Sequence, residues 1–273
     1  MKQVIDQIHH SALSDPRSGF IAELYAPEDD QSIRPGERVF YTRRNAVYLD
    51  SVCRQVAEVD ASLRPLVLGP LLAGASVHTN TSGVFKGFYK DSRTGVGRFG
   101  GSAGNALTRI LGDIKLRPPV LSRFDCDTAV CQQDANALAG ELDDADLVYI
   151  DPPYNQHPYG SNYFMLNLLV DYQRPDEVSR VSGIPVGWNR SAYNKRAQSY
   201  EAFERLVAAT HAKFLLISFN SEGFIDKRQM VGLLEKYGRV EVLETQYNTF
   251  RGSRNLRDRP VHVTEYLFLV ERR

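Results

Sequence analysis

Leu147-Val-Tyr-Ile-Asp-Pro-Pro-Tyr-Asn155 is the stretch whose residue types and spacing could do chemistry. An apolar run ends in an acid, two prolines and a tyrosine, which predicts Asp151 at the carboxyl end of a parallel strand, where open α/β sheets hold their ligands. The prolines Pro152 and Pro153 fix φ and remove two N–H donors, giving a stiff loop with unpaired carbonyls. That is a poor way to join a strand to a helix, but a good way to hold a carboxylate, a carbonyl and an aromatic ring around a planar amine. The exocyclic NH2 of a nucleobase is such an amine, and a weak nucleophile because its lone pair is delocalised into the ring. The Asp151 carboxylate and the Pro152 carbonyl can each accept one N–H, drawing the nitrogen toward tetrahedral geometry with its lone pair aimed at an electrophile. Tyr154 offers a stacking face for a base taken out of its helix, an extrusion needed because the reacting atom is inaccessible in a duplex. A chance strand-to-loop turn is the plain alternative, and the neighbouring strand patterns weigh against it.

The elements that must position this loop lie mainly in the second half, where short β-branched runs alternate with helical patterns, the mark of strand-helix-strand units. Strands are predicted over Thr128–Gln132, Leu147–Asp151, Phe214–Phe219, Val240–Tyr247 and Val263–Glu271. Helices are predicted over Tyr200–Thr210 and Lys227–Tyr237, and the last two strands read as an antiparallel hairpin closing the sheet edge. Asp134 reads equally as a ligand-contacting acid and as the N-cap of a helix over Asn136–Leu142. The first half reads as helices and loops. Asn45–Val59 places Ala46, Leu49, Val52, Cys53 and Val56 on one helical face, while Gly69 and Pro70 interrupt a second apolar candidate at Leu66–Val77. Thr79–Ala106 then has a loop composition rich in Gly, Ser, Thr, aromatic and basic residues. The contrast predicts a boundary near Ser122, giving domains 1–122 and 123–273.

With 273 residues, 42% hydrophobic and 24% charged, the chain is an ordinary globular protein of one large or two small domains. No run of 18 apolar residues and no leader pattern occurs, so no membrane is expected and the location reads as cytoplasmic. Cys53, Cys126 and Cys131 lack CxxC spacing, so neither a disulfide framework nor a metal site is expected. The formal net charge is zero, yet the charges are segregated. Lys86, Lys90, Arg93, Arg98, Arg109, Lys115 and Arg117 face only Asp91 and Asp113 across Val84–Arg117, and Arg251, Arg254, Arg257 and Arg259 cluster late. Phe124–Asp146 carries only acids. Lys86, Lys90, Arg93 and Arg98 interleave with Phe85, Phe88, Tyr89 and Phe99. That mixture suits phosphate contacts plus base stacking, against the plain alternative of an aromatic core with solvated charges. Arg251 and Arg254 read in the same way. His157 reads as loop structure or a substrate contact.

Asp151-Pro152-Pro153-Tyr154 after an apolar strand closely resembles the catalytic motif of S-adenosylmethionine-dependent amino methyltransferases, particularly the adenine-N6 DNA methyltransferases. Lys213–Ser221 looks like that family's strand after the catalytic loop, and Tyr247–Arg254 like its late hairpin. Val130–Asn136 resembles the segment whose acid contacts the cofactor adenine, which implies that role for Asp134. Glu37–Thr42 and Phe99–Gly104 are similar to the stretch that includes DNA-contacting residues in the subclass whose recognition region precedes the catalytic motif. The family's F-x-G-x-G cofactor loop has no counterpart before Ala26.

The resemblance therefore implies an α/β, Rossmann-like methyltransferase sheet, mostly parallel with a carboxyl-terminal antiparallel hairpin and lacking its first strands, plus a helical and basic-loop DNA-recognition region. It implies site-specific methyl transfer from S-adenosylmethionine to an extruded adenine, with Asp151, Pro152, Pro153 and Tyr154 catalytic and Asp134 and Asp151 on the cofactor. Lys86, Lys90, Arg93, Arg98, Arg251 and Arg254 would contact double-stranded DNA. A partner chain or upstream segment would complete the fold, and a restriction endonuclease is a further expected partner. Two other readings stand: a catalytically incompetent DNA-binding or specificity subunit, separable by cofactor calorimetry, and an RNA exocyclic-amine methyltransferase, separable by assays on duplex DNA and RNA.

Overall fold

The computed structural model describes residues 1–101, 104, 106–248 and 262–273. The chain forms two compact units, Met1–Asp125 with Gly160–Trp188, and Cys126–Tyr159 with Asn189–Arg273. The elements in chain order are α1 (Lys2–Ser14), α2 (Phe20–Tyr25), α3 (Arg43–Val56), α4 (Arg64–Val77), α5 (Leu107–Ile110), α6 (Ala135–Ala139), β1 (Ala145–Ile150), α7 (Tyr159–Asn162) and α8 (Phe164–Asp171). There follow a 3-10 turn (Ala192–Asn194), α9 (Arg196–Ala209), β2 (Ala212–Asn220), α10 (Lys227–Leu234), β3 (Gly238–Asn248) and β4 (His262–Arg272). Among the described residues no helix is long and apolar enough to cross a membrane.

Among the described residues the sheet unit has four strands in the order β1-β2-β4-β3. β1 and β2 run parallel, with Val148 opposite Leu215 and Ile150 opposite Ile217. β4 lies antiparallel to both β2 and β3, so the expected hairpin closes one edge. Side chains alternate across the sheet. Ile150, Leu215, Ile217, Phe219, Phe268 and Val270 point to one side and bury against Phe203, Leu206 and Val207 of α9 and Met230, Leu233 and Leu234 of α10. Each such side chain contributes roughly 1.5–3 kcal/mol when taken from water. The other face leaves Leu147 53% and Tyr149 57% exposed, together with Phe214 and Leu243. Asp226 and Gln229 form a reciprocal capping box that starts α10.

Two expectations for this unit need correction. Thr128–Gln132 forms no strand and is exposed throughout. A β-branched run becomes a strand only where a neighbour supplies its hydrogen bonds, and no described strand lies beside it. The helix after Asp134 spans Ala135–Ala139 and ends at Gly140, short of Leu142.

In the helical unit, Thr42 caps α3 by accepting from the Asn45 N–H, and Ala46, Leu49, Val52, Cys53 and Val56 are buried as their spacing predicts. α4 is continuous, contrary to the expected interruption: Pro70 sits inside it while Val67, Leu71 and Ala75 bury one stripe. Burial of that stripe outweighs the hydrogen bond that proline forfeits. The single boundary near Ser122 also misses a return of the chain. α8 puts Phe164, Met165 and Leu169 into the core of the first unit, with Phe164 edge-on to Phe40 at 5.8 Å.

Asp50 ties this unit together. It is fully buried, and its carboxylate accepts from the N–H groups of Gly19 (2.8 Å), Ile21 (3.1 Å) and Ala22 (2.9 Å) and from the Tyr172 hydroxyl (2.8 Å). Gly19 is needed for this approach, since a Cβ there would lie 2.6 Å from Asp50 Oδ1 and 2.5 Å from Tyr172 Oη. Replacing Asp50 with Ala should strand four donors, two of them buried, and lower stability by about 3 kcal/mol or more, against roughly 1 for Tyr172→Phe. Denaturant titration checks this, and equal small losses in both variants would show that the carboxylate is not the tie.

Candidate active site

β1 ends at Ile150, so parallel pairing with β2 delivers Asp151 just beyond the carboxyl edge of the sheet. Pro152 is buried, Pro153 and Tyr154 are half-buried, and Asp151 stays exposed enough to meet a ligand. Partial desolvation raises the Asp151 carboxyl above its ordinary range. The loop is tethered on both sides. The Tyr154 carbonyl accepts from the Phe224 N–H (2.8 Å), in the segment after β2, and the Asn155 carbonyl accepts from Asn194 Nδ2 (2.9 Å) in the 3-10 turn. Asn155 Oδ1 in turn accepts from the His157 N–H (3.0 Å), which gives His157 a place in the loop structure. The Tyr154 ring stands edge-on to Phe219 at 5.7 Å, and its phenol is pushed up by burial and by nearby Glu265. Tyr154 is thus held by packing from β2 and does not swing freely.

A cleft of about 690 Å³ adjoins the loop, lined by Asp134, Leu138, Ile150, Asp151, Pro152 and Pro153 and by the facing segment Asn189–Ser191 with Tyr193. Asp134 does cap α6: its Oδ1 accepts from the N–H groups of Asn136 (3.0 Å) and Ala137 (3.2 Å). Both bonds fall on one oxygen, so the cap role leaves Oδ2 without a cap bond at the cleft. Asn136 ties α6 to α9 and the 3-10 turn, with Nδ2 donating to the Ala202 carbonyl (2.8 Å) and Oδ1 accepting from the Tyr193 hydroxyl (2.7 Å). Sequence reasoning missed Asn189, Arg190 and Tyr193. They follow the excursion of residues 160–188 into the other unit, and no local pattern marks them as lining this cleft.

The basic residues of the first half sit in the helical unit. Phe85 and Phe88 are core residues, and Phe99 packs against that core, so these rings are not available to stack on bases as expected. The reason is burial: Phe40 alone touches both Phe85 and Phe88, at 6.4 and 5.2 Å between ring centres. The cations remain outside. Lys90 Nζ lies 4.7 Å over the Phe88 ring. Lys86 is half-buried, and burial lowers its pKa. Arg93 and Arg98 are exposed on a short hairpin closed by a Lys90–Gly97 bridge, Arg98 lying 3.9 Å from Asp91. Asp91 shapes the tip by accepting from the Thr94 and Arg93 N–H groups, and Gly95 turns it with φ +71°. In Glu37–Thr42, Val39, Phe40 and Tyr41 are fully buried, leaving Arg38 as the contact candidate. Arg251 and Arg254 lie outside the described residues. Cys126 and Cys131 are exposed and unpaired, Cys53 is buried, and among the described residues no cluster of His, Cys, Asp and Glu could hold a metal ion.

The chain is similar to the Type II methyltransferase M.NlaIII of Neisseria lactamica, 26% identical over 265 residues covering 94% of this chain and 73% of that protein. It is 29% identical over 258 residues to the Type II methyltransferase M.CviAII of Paramecium bursaria Chlorella virus 1, covering 92% of this chain and 70% of the relative. With the Type II methyltransferase M.FokI of Planomicrobium okeanokoites it shares 26% identity over 167 residues, or 60% of this chain and 25% of the other. No solved structure matches the chain significantly. One family matches residues 35–232, a span that takes in the cationic hairpin, the Asp151–Tyr154 loop and both sides of the cleft. By that match the chain belongs to the D12 class of N6 adenine-specific DNA methyltransferases.

Proposed function

We propose that Asp151, Pro152 and Tyr154 form the adenine-handling site of this DNA methyltransferase. The observation that carries the reading is the position of the Asp151 loop, at the carboxyl end of a parallel strand and on the rim of a cleft that also presents Asp134. The Asp151 carboxylate and the Pro152 carbonyl accept the two N–H bonds of adenine N6. Pro153 stiffens the loop, and Tyr154 offers its ring to the extruded base. The carbonyl tethers from Phe224 and Asn194 hold these acceptors in place, so little ordering is left to the moment of reaction.

The cleft volume lies within the range of small-molecule sites, and its apolar floor with a few convergent polar groups suits a nucleoside. S-adenosylmethionine supplies an electrophilic methyl group when bound. Asp134 would hold its nucleoside part through Oδ2, and Asp151 would border it near the reacting amine. Duplex DNA would be held by Lys86, Lys90, Arg93 and Arg98, with Arg251 and Arg254 as further candidates. Residues 1–122 would be mainly recognition and 123–273 mainly catalysis, with α8 as the exception. The relatives named Type II methyltransferases favour a fixed target sequence and a restriction endonuclease as the companion activity.

We further propose that strands from an upstream segment or a partner chain pair with the free edge of β1 and complete the cofactor site. Exposed Leu147 and Tyr149 and the unpaired, exposed run Thr128–Gln132 support this, since an apolar open edge recruits further strands.

Asp151→Ala should abolish methyl transfer with fold and most DNA affinity retained, and Asp151→Asn should be milder. Radiolabelled methyl incorporation checks this: a residual rate within about tenfold of the parent, roughly 1.4 kcal/mol, would place the acid outside the reaction centre. Tyr154→Ala should lose more turnover on paired than on mismatched adenine, because stacking offsets the unstacking cost of roughly a few kcal/mol. Equal losses on both substrates count against stacking. Calorimetry should find that residues 1–273 alone bind S-adenosylmethionine weakly, nearer millimolar than micromolar, since each missing hydrogen bond to a buried ligand costs about 1–3 kcal/mol. Tight binding would show that the described cleft already suffices.

A further inference from the structure

We propose that Arg38, Arg43 and Arg54, gathered in one groove of the helical unit, anchor a backbone phosphate of the DNA duplex at a site separate from the cationic hairpin. The proposal rests on the reading that this unit binds DNA. The groove encloses about 850 Å³ beside α2, and Arg34 and Arg174 also line it.

Its charge balance sets it apart. The rim arginines are already neutralised: Arg34 pairs with Glu28 at 2.9 Å, and Arg174 forms a two-pronged pair with Glu23 at 2.6 Å. The remaining acid, Glu37, spends its carboxylate on the N–H groups of Glu28 (2.9 Å) and Arg34 (2.6 Å). Arg38, Arg43 and Arg54, by contrast, form no ion pair among the described residues. Each is held by neutral acceptors. Arg38 donates to the carbonyls of Leu24 (3.2 Å) and Ser179 (3.1 Å), and Arg43 to the Ala22 carbonyl (2.9 Å) and Ser18 Oγ (3.2 Å). Arg54 donates to the Ser18 carbonyl (2.8 Å). Nearby Asp50 already has four donors, and Asp30 accepts from the Arg43 backbone N–H at 2.8 Å.

Neutral acceptors fix a guanidinium in place without cancelling its charge, and each fork retains N–H bonds for a second partner. Fixed forks of this kind match the geometry of a phosphate, and holding them in advance lowers the ordering cost of binding. Arg38 carries a further sign that stability alone does not place it. Its Nε is buried beside Gly183 with no partner, a cost that the fold retains while presenting the rest of the group.

The test is fluorescence anisotropy of a target-bearing duplex and of an unrelated duplex across a salt series, on the parent, Arg43→Gln and Arg54→Gln. Each variant should bind both duplexes several-fold more weakly at low salt. The slope of log K against log salt should flatten by about 0.9 for each phosphate no longer neutralised. Should the parent bind while both variants keep its slope, the groove is not a DNA anchor, and the hairpin reading survives. Should the parent itself bind no duplex, the DNA reading of the unit fails first and this proposal with it. Because these arginines also clasp backbone, the parent is footprinted with an arginine-selective dicarbonyl as well, with duplex or inorganic pyrophosphate present. Protection of Arg43 and Arg54 by the duplex and not by pyrophosphate is expected. No protection by the duplex, or equal protection by pyrophosphate alone, overturns the assignment.

Discussion

Parallel pairing of β1 with β2 is the constraint on which the candidate active site depends. With Ile150 opposite Ile217, both strands point their carboxyl ends the same way, so the residues after Ile150 and after Asn220 emerge side by side. That is why the Phe224 N–H can reach the Tyr154 carbonyl, and why the Phe219 ring lies edge-on to Tyr154. A one-residue slip would turn Ile150 to the exposed face and rotate Asp151 away from the cleft. The register is protected by burial, because a slip of β1 would turn Ile150 away from the core it shares with Leu215, Ile217 and Phe219 of β2 and with α9 and α10.

The helical unit solves a different problem, the presentation of cations without a large net field. Its arginines and lysines stand on an aromatic core of Phe40, Phe85, Phe88 and Phe164, and short acceptor networks orient them. Asp91 shapes the hairpin that carries Arg93 and Arg98, and buried Asp50 holds the start of α2 beside the arginine groove. Several acids here pair with arginines, as Glu23 does with Arg174 and Glu28 with Arg34, while Arg38, Arg43 and Arg54 form no ion pair among the described residues. A phosphate backbone is recognised by such charge and a fixed donor geometry more than by apolar contact.

The strand that leads into the Asp151 loop is an edge strand of the described sheet. Among the described residues β1 and β3 each pair on one side only, and β1 carries exposed Leu147 and Tyr149 beside the Asp151 loop. On the proposed reading, a strand added to β1 would complete the sheet next to the Asp151 cleft.

The chemistry and the local structure were legible in the residues themselves. The apolar run into Asp151-Pro152-Pro153-Tyr154 declared a strand and a rigid loop, Asp134 offered a cap as one of two equal readings, and the alternation in Phe214–Phe219, Val240–Tyr247 and Val263–Glu271 declared the strands of the sheet and its closing hairpin. These signals are local, because steric preference and side-chain period act within a few residues. Only tertiary structure decided the rest. Thr128–Gln132 has strand composition but no strand beside it. Phe85 and Phe88 look like stacking platforms until the distant Phe40 and Phe164 enclose them. The cleft gains Asn189, Arg190 and Tyr193 only because the chain leaves for α8 and returns. In each case the outcome depends on which remote segment supplies a hydrogen bond or covers an apolar surface, and a side chain's own type and spacing carry no record of that neighbour.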